Sequence, residues 1–174
     1  DGRRSVRSMH DQASWERLLD RIDADREQRV RTGRSQVVPP FDIVRLDLDD
    51  RTDGYVGDEL YKAHGFGSGV TLESADYLLR FRPELEVDRI APRPLLLIHG
   101  THNRLHPVTE SEELHRRAAD PKELVLLDGA GHTEWMFDDH PLFRSVADRI
   151  EGFLSASLPT ADGDHLTPHG VSCA

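Results

Sequence analysis

"LVLLDGAGHTEWM", residues 124–136, is an apolar run that breaks into a glycine-flanked turn carrying one histidine. Leu124 to Leu127 reads as a strand buried on both faces, as in a parallel sheet. Gly129 and Gly131 allow tight backbone geometry just beyond it. A histidine in a turn is often only a surface residue. In open α/β sheets, however, sites lie at the carboxyl ends of strands, and His132 follows a buried strand. It is therefore a candidate catalytic base.

The pattern repeats upstream. "APRP" delivers the chain into "LLLIHG", residues 95–100, a second unbroken apolar run that also ends in a polar turn, "HGTHNRLHP". Between the two runs, Thr109 and Glu112 predict a capping box opening a helix to about Ala119. After His132, Pro141 suits the first turn of a last helix, with Leu142, Val146, Ile150, Phe153 and Leu154 as its stripe. Residues 88–155 are thus expected to form strand, helix, strand, helix, joined by a right-handed crossover. Two parallel strands need neighbours and covering helices, so the chain is expected to be part of a domain.

Residues 1–87 read differently. An amphipathic helix is predicted over 11–31, with Trp15, Leu18, Leu19, Ile22 and Val30 near one face and Gly33 as its stop. "VVPPFD" resists both helix and central strand. Val44, Leu46 and Leu48 alternate with charges, as in a short strand. "RTDGYVGDELYKAHGFGSG", from residue 51, reads as a long loop or irregular cover. Thr71 opens a helix through about Phe81, with Leu72, Ala75, Leu78 and Leu79 inward and Pro83 ending it. Residues 156–174 are polar, with Pro and Gly, and read as a disordered tail.

The chain has 174 residues, 37% hydrophobic and 31% charged, enough for one core with a long exposed segment besides. A net charge of −10 repels a phosphate backbone, so nucleic acid is not an expected partner. No apolar run reaches membrane-span length, and no signal-peptide pattern opens the chain. The single Cys173 can make no internal disulfide; a reducing, cytoplasmic location is expected. Because the first residue is Asp1 rather than Met, processing or truncation at the N-terminus is expected.

"PLLLIHGTHNRLHPV", a helix, "ELVLLDGAGHTEWM" and a final amphipathic helix resemble the C-terminal part of a serine α/β-hydrolase. The likeness is to the esterase and dienelactone-hydrolase-like branch, which merges into the prolyl-oligopeptidase type. It covers residues 88–155. Residues 1–87 correspond to the cap or connecting segments that often precede the penultimate strand in such families. The resemblance implies an α/β fold with two parallel core strands, flanking helices and a mainly helical cap-like segment before them. It implies a Ser nucleophile, an acid after the penultimate core strand and a His after the last, with no cofactor and no metal. His132 takes the histidine position.

Two positions depart from that pattern. The acid falls three residues beyond Gly100, at Asn103. Asparagine can accept a hydrogen bond from His132 and orient it, but cannot neutralise an imidazolium; Asn103 can also be a plain turn residue. Glu134 and Glu110 are substitute carboxylates by sequence proximity. The Gly-x-Ser-x-Gly nucleophile turn is absent. Ser68 of "GFGSG" is one position off and follows no apolar strand, so it reads as a loop residue. The nucleophile and the oxyanion-hole donors are therefore expected upstream of Asp1.

The expected function is the C-terminal portion of a serine hydrolase acting on ester or related acyl bonds, inactive alone. Its partners would be the missing N-terminal half of the fold and, in the complete enzyme, a small-molecule ester or acyl substrate. The alternative is a degenerate, non-catalytic relic acting as an interaction module. A third reading takes His99, His102 and His106, with His132 and His140 elsewhere, as zinc ligands. Trp135, Met136 and Phe137 either line an acyl pocket or pack the last helix. Trp15 and its helix either cap a pocket or cover the sheet.

Overall fold

A computed structural model describes residues 1–44, 50–55 and 69–157. The expected strand through Leu46 and Leu48, the loop at 65–68 and the tail beyond 157 lie outside the described residues.

Four helices are described in the first half. α1 (Gly2–Ser8) and α2 (Gln12–Thr32) are joined at Asp11, whose side chain caps α2 by accepting from Ser14 N. Gly33 closes α2 in the left-handed conformation at φ 69°. Short strands β1 (Val37–Val38) and β2 (Val70–Thr71) pair antiparallel. A 3-10 turn over Pro40–Asp42 follows β1, where the prolines end the strand. A short helix, α3 (Asp50–Tyr55), lies within the stretch expected to be irregular, with Asp50 and Asp53 in its first turn, where acidic groups suit the helix dipole. α4 (Leu72–Arg80) is capped by Thr71, which accepts from Ser74 N. Val6, Trp15, Leu18, Ile22, Val38, Leu72, Ala75 and Leu79 bury together as one core. Trp15 thus packs inside this core, with the guanidinium groups of Arg3 and Arg7 over its ring.

Val30 departs from the predicted stripe, being 89% exposed. It borders an open groove shared with Asp76, Tyr77 and Arg80 of α4, where charged groups rather than apolar side chains face it. A polar network ties the two helices instead. Buried Asp76 accepts from Arg26, Arg29 and Arg80, and buried Asp25 accepts from Arg29, Ser35 and the Gln36 amide.

The second half follows the predicted order. β3 (Leu95–Gly100) and β4 (Lys122–Leu127) run parallel, in register from Leu95 opposite Lys122 to Gly100 opposite Leu127. α5 (Thr109–Arg117) crosses between them, and α6 (Phe143–Ser157) follows β4. The Thr109–Glu112 capping box does not form. The helical turn already begins at Pro107, whose carbonyl accepts from Glu110 N, so Val108 is the cap residue and Thr109 lies inside the helix. The strands are less covered than expected. Leu95 to His99 are half-buried, and Leu126 is 41% exposed. Leu95 and Leu97 line an apolar cavity of about 620 Å³ with Phe81, Val87, Ile90 and Leu114. Ile98, Val125 and Leu127 pack with Trp135, Leu142 and Val146. Further along the α6 stripe, Ile150 and Leu154 are 39% and 46% exposed.

Candidate functional site

The ends of β3 and β4 are zipped together before any side chain of interest is placed. Thr101 N donates to Leu127 O at 3.0 Å, and His102 N donates to Ala130 O at 2.8 Å. Thr101 Oγ1 accepts from Gly129 N at 2.9 Å. Gly129 takes φ 71°, a region that favours glycine. Gly100 permits the closest approach: a β-carbon there would overlap the carbonyls of Ala130 and Gly131. The two strand-end turns are therefore one unit, and that unit carries both predicted site residues.

The structure brings Asn103 and His132 together, with Asn103 Nδ2 3.1 Å from His132 Nδ1. The amide orientation is set by its other end. Asn103 Oδ1 accepts from Leu105 N at 3.1 Å and His106 N at 2.9 Å. Reversing the amide would face its NH2 toward two N–H donors, so Nδ2 must point at His132. An amide nitrogen only donates. His132 Nδ1 is then the acceptor, and its neutral ring carries the proton on Nε2. The expectation that Asn103 accepts from His132 is reversed, because two backbone amides claim its only acceptor atom.

The two substitute carboxylates are engaged by other groups. Glu110 is buried beside α1, where Arg4 Nη2 donates to it at 2.8 Å. Burial alone would raise its pKa, but the Arg4 hydrogen bonds and nearby positive charge hold it below the usual carboxylate value. Glu134 Oε1 accepts from Gly131 N, bracing the turn just before His132.

Four further residues, His106, Ser5, His99 and Ser111, form a chain of contacts that begins at His132. His106 stacks obliquely on His132, with ring centroids 5.3 Å apart, and its Nδ1 lies 2.9 Å from Ser5 Oγ on α1. Burial first, and then the neighbouring His132 and His99, push the His106 pKa below its ordinary value, against the opposing pull of Glu110. His99 Nε2 lies 2.9 Å from the His106 carbonyl, and its Nδ1 lies 2.8 Å from Ser111 Oγ. Histidine spacing points to 99 and 106 as metal ligands, against a plainer reading of His99 as a hydrogen-bonded, inert residue at a strand end and of His106 as held extended by Pro107. Among the described residues, no group of three or more His, Cys, Asp or Glu is placed to hold a metal ion. Trp135 packs into the core, Met136 is 58% exposed, and Arg51 of α3 lies 4.0 Å over the Phe137 ring. Among the described residues, no helix is long and apolar enough to cross a membrane.

No family model matches the chain. It is 30% identical over 148 residues to the uncharacterised protein PA2218 of Pseudomonas aeruginosa, covering 82% of this chain and 38% of that one. The crystal structure of PA2218 superposes with a TM-score of 0.57, over 82% of this chain and 45% of that chain. The α/β hydrolase GrgF from a Penicillium species superposes with a TM-score of 0.63 at 20% identity, over 86% of this chain and 52% of its own. The acyltransferase drtE of Aspergillus calidoustus is 25% identical over 112 residues, covering 64% of this chain and 36% of that protein. The chain thus spans about half the length, or less, of the proteins it matches. It carries part of an α/β-hydrolase fold, a parallel strand pair with flanking helices, and is related to α/β hydrolases and acyltransferases.

Proposed function

We propose that this chain is the C-terminal portion of a serine hydrolase acting on ester or related acyl bonds, and that His132 is its base. The observation that carries this reading is the Asn103–His132 hydrogen bond at the joined ends of two parallel strands. Fold, strand order and the presence of an orienting partner on Nδ1 all agree with that role. The partial coverage of PA2218 and GrgF supports a nucleophile supplied from outside residues 1–174.

In the complete enzyme, His132 Nε2 would take the proton of the nucleophile and return it to the leaving group. Asn103 opposes this. With its NH2 on Nδ1, the neutral ring presents a proton, not a lone pair, at Nε2. Catalysis then requires the Asn103 amide to turn over, breaking two hydrogen bonds to the backbone at about 1 kcal/mol each. That same opposition favours the second reading, a non-catalytic relic that acts as an interaction module.

The test is a fluorophosphonate probe on the 174-residue chain, read by peptide mass spectrometry. No serine within it should be labelled. An adduct on Ser68, or on any other serine of the chain, would refute the external nucleophile.

A further inference from the structure

His132 is oriented by Asn103, but Asn103 is itself held in place. Its Oδ1 accepts from the amide of His106, so the position of that backbone decides which end of the amide faces His132. The His106 carbonyl accepts from His99 Nε2 at 2.9 Å. A carbonyl can only accept, so His99 Nε2 carries a proton. In the neutral ring His99 Nδ1 is then an acceptor, and Ser111 Oγ, 2.8 Å away, donates to it. His99 belongs to β3 and Ser111 to α5, both fixed elements on either side of the turn. Pro107 follows His106 and restricts the backbone further. Leu105, next to His106, is buried against Met9 and Val44. Residue 106 is thus pinned at its carbonyl by a side chain that has no other evident task.

We propose that His99 and Ser111 are positioning residues that, through the backbone of His106 and the Asn103 amide, hold the His132 proton at Nε2. The inference deepens the reading of His132 as the base and rests on it for its functional meaning, but the tautomer itself is measurable without any reaction. The His106 carbonyl sets the His99 proton on Nε2, Ser111 supports that tautomer by donating to Nδ1, His99 fixes the 103–106 turn, and the turn aims Nδ2 at His132. The strand-end histidine and the helix serine therefore govern whether Nε2, the nitrogen a nucleophile would meet, carries a proton in the resting ring.

The test is long-range 1H–15N correlation on histidine-labelled chain at mildly alkaline pH, which tells Nδ1–H from Nε2–H rings. Wild-type His99 and His132 should both be Nε2–H. His99→Phe removes the donor, and the Nδ1–H share of His132 should rise about fivefold, the factor for one hydrogen bond of ordinary net strength. His99→Gln keeps an N–H donor and should restore the wild-type pattern. Ser111→Ala should shift His132 in the same direction, and it serves as the readout if His99→Phe does not fold. A wild-type His132 with its proton on Nδ1 would overturn the proposal. So would folded His99→Phe or Ser111→Ala chains with an unchanged His132. Failure of the serine-hydrolase reading would leave all these tautomers as described, because no acylation is measured.

Discussion

Asn103 Nδ2 donates to His132 Nδ1 across 3.1 Å, on the nitrogen where an orienting carboxylate would accept. For the proposed base role, the ring proton that this contact implies is on the wrong nitrogen. Asn103→Asp should correct it. The carboxylate can keep both backbone donors at 105 and 106 and still accept from Nδ1–H. The His132 proton should move to Nδ1, visible in the 15N shifts. In the complete enzyme, turnover should rise by up to about 10⁴, the factor lost for the reverse change in the serine-protease template. Unchanged turnover would argue for the relic reading.

Gly100 lets the two strand ends meet, because a β-carbon there would overlap the Ala130 and Gly131 carbonyls. Gly100→Ala should cost about 1–3 kcal/mol, the usual range for overpacking a closed site. Gly152 on α6 is the control, since a β-carbon there meets nothing within 4 Å. Gly152→Ala should stabilise by roughly 0.5–1 kcal/mol. Urea midpoints of the two variants should therefore move in opposite directions.

Asp76 is 3% exposed and holds three arginines. Asp76→Ala removes the acceptor these arginines share, although Arg26 keeps Asp23 and Arg29 keeps Asp25 and Glu73. It should destabilise by about 1–3 kcal/mol, the range for losing hydrogen bonds to a charged group. Hydrogen bonding from Arg26, opposed by burial and helped by Arg29 and Arg80, holds the Asp76 pKa below the usual carboxylate value. Its stabilising effect is present above the unfolded carboxylate range and is lost as pH falls through the depressed folded value. Melts of wild type and Asp76→Asn should converge in strong acid.

His106 gives the opposite window. Its folded pKa is lowered, first by burial and then by His132 and His99, with Glu110 opposing. The unfolded chain therefore binds a proton more readily. Stability is intact above the ordinary histidine value of about 6.5 and declines as pH falls from there toward the folded value. His106→Asn should show a smaller drop in melting temperature than wild type between pH 7.5 and pH 5.5.

The sequence makes the second half of the fold legible because unbroken apolar runs, prolines and glycines punctuate it at parallel-strand spacing. The family resemblance, rather than spacing alone, points to His132 and Asn103 beyond the two strand ends, and there the two side chains meet. The roles of His99, Ser111 and His106 are hidden. Their significance lies in which backbone group each side chain reaches, and spacing alone carries no such direction. Val30 misleads for a related reason: periodicity reports a face but not which groups lie against it. The Thr109–Glu112 motif fails as a cap because Pro107 starts the helical turn two residues earlier. Asp76 is invisible because arginines from two helices converge on it only in space.

The central claim is that His132 serves a nucleophile outside residues 1–174. The most direct measurement joins the coding sequence immediately upstream of Asp1, in frame, to this chain. The product carrying Asn103→Asp is then treated with a fluorophosphonate and the adduct is mapped by mass spectrometry. A single labelled serine N-terminal to Asp1 is expected, and its labelling should fall away with His132→Ala. An adduct inside residues 1–174, or no adduct at all in the Asn103→Asp background, would contradict it.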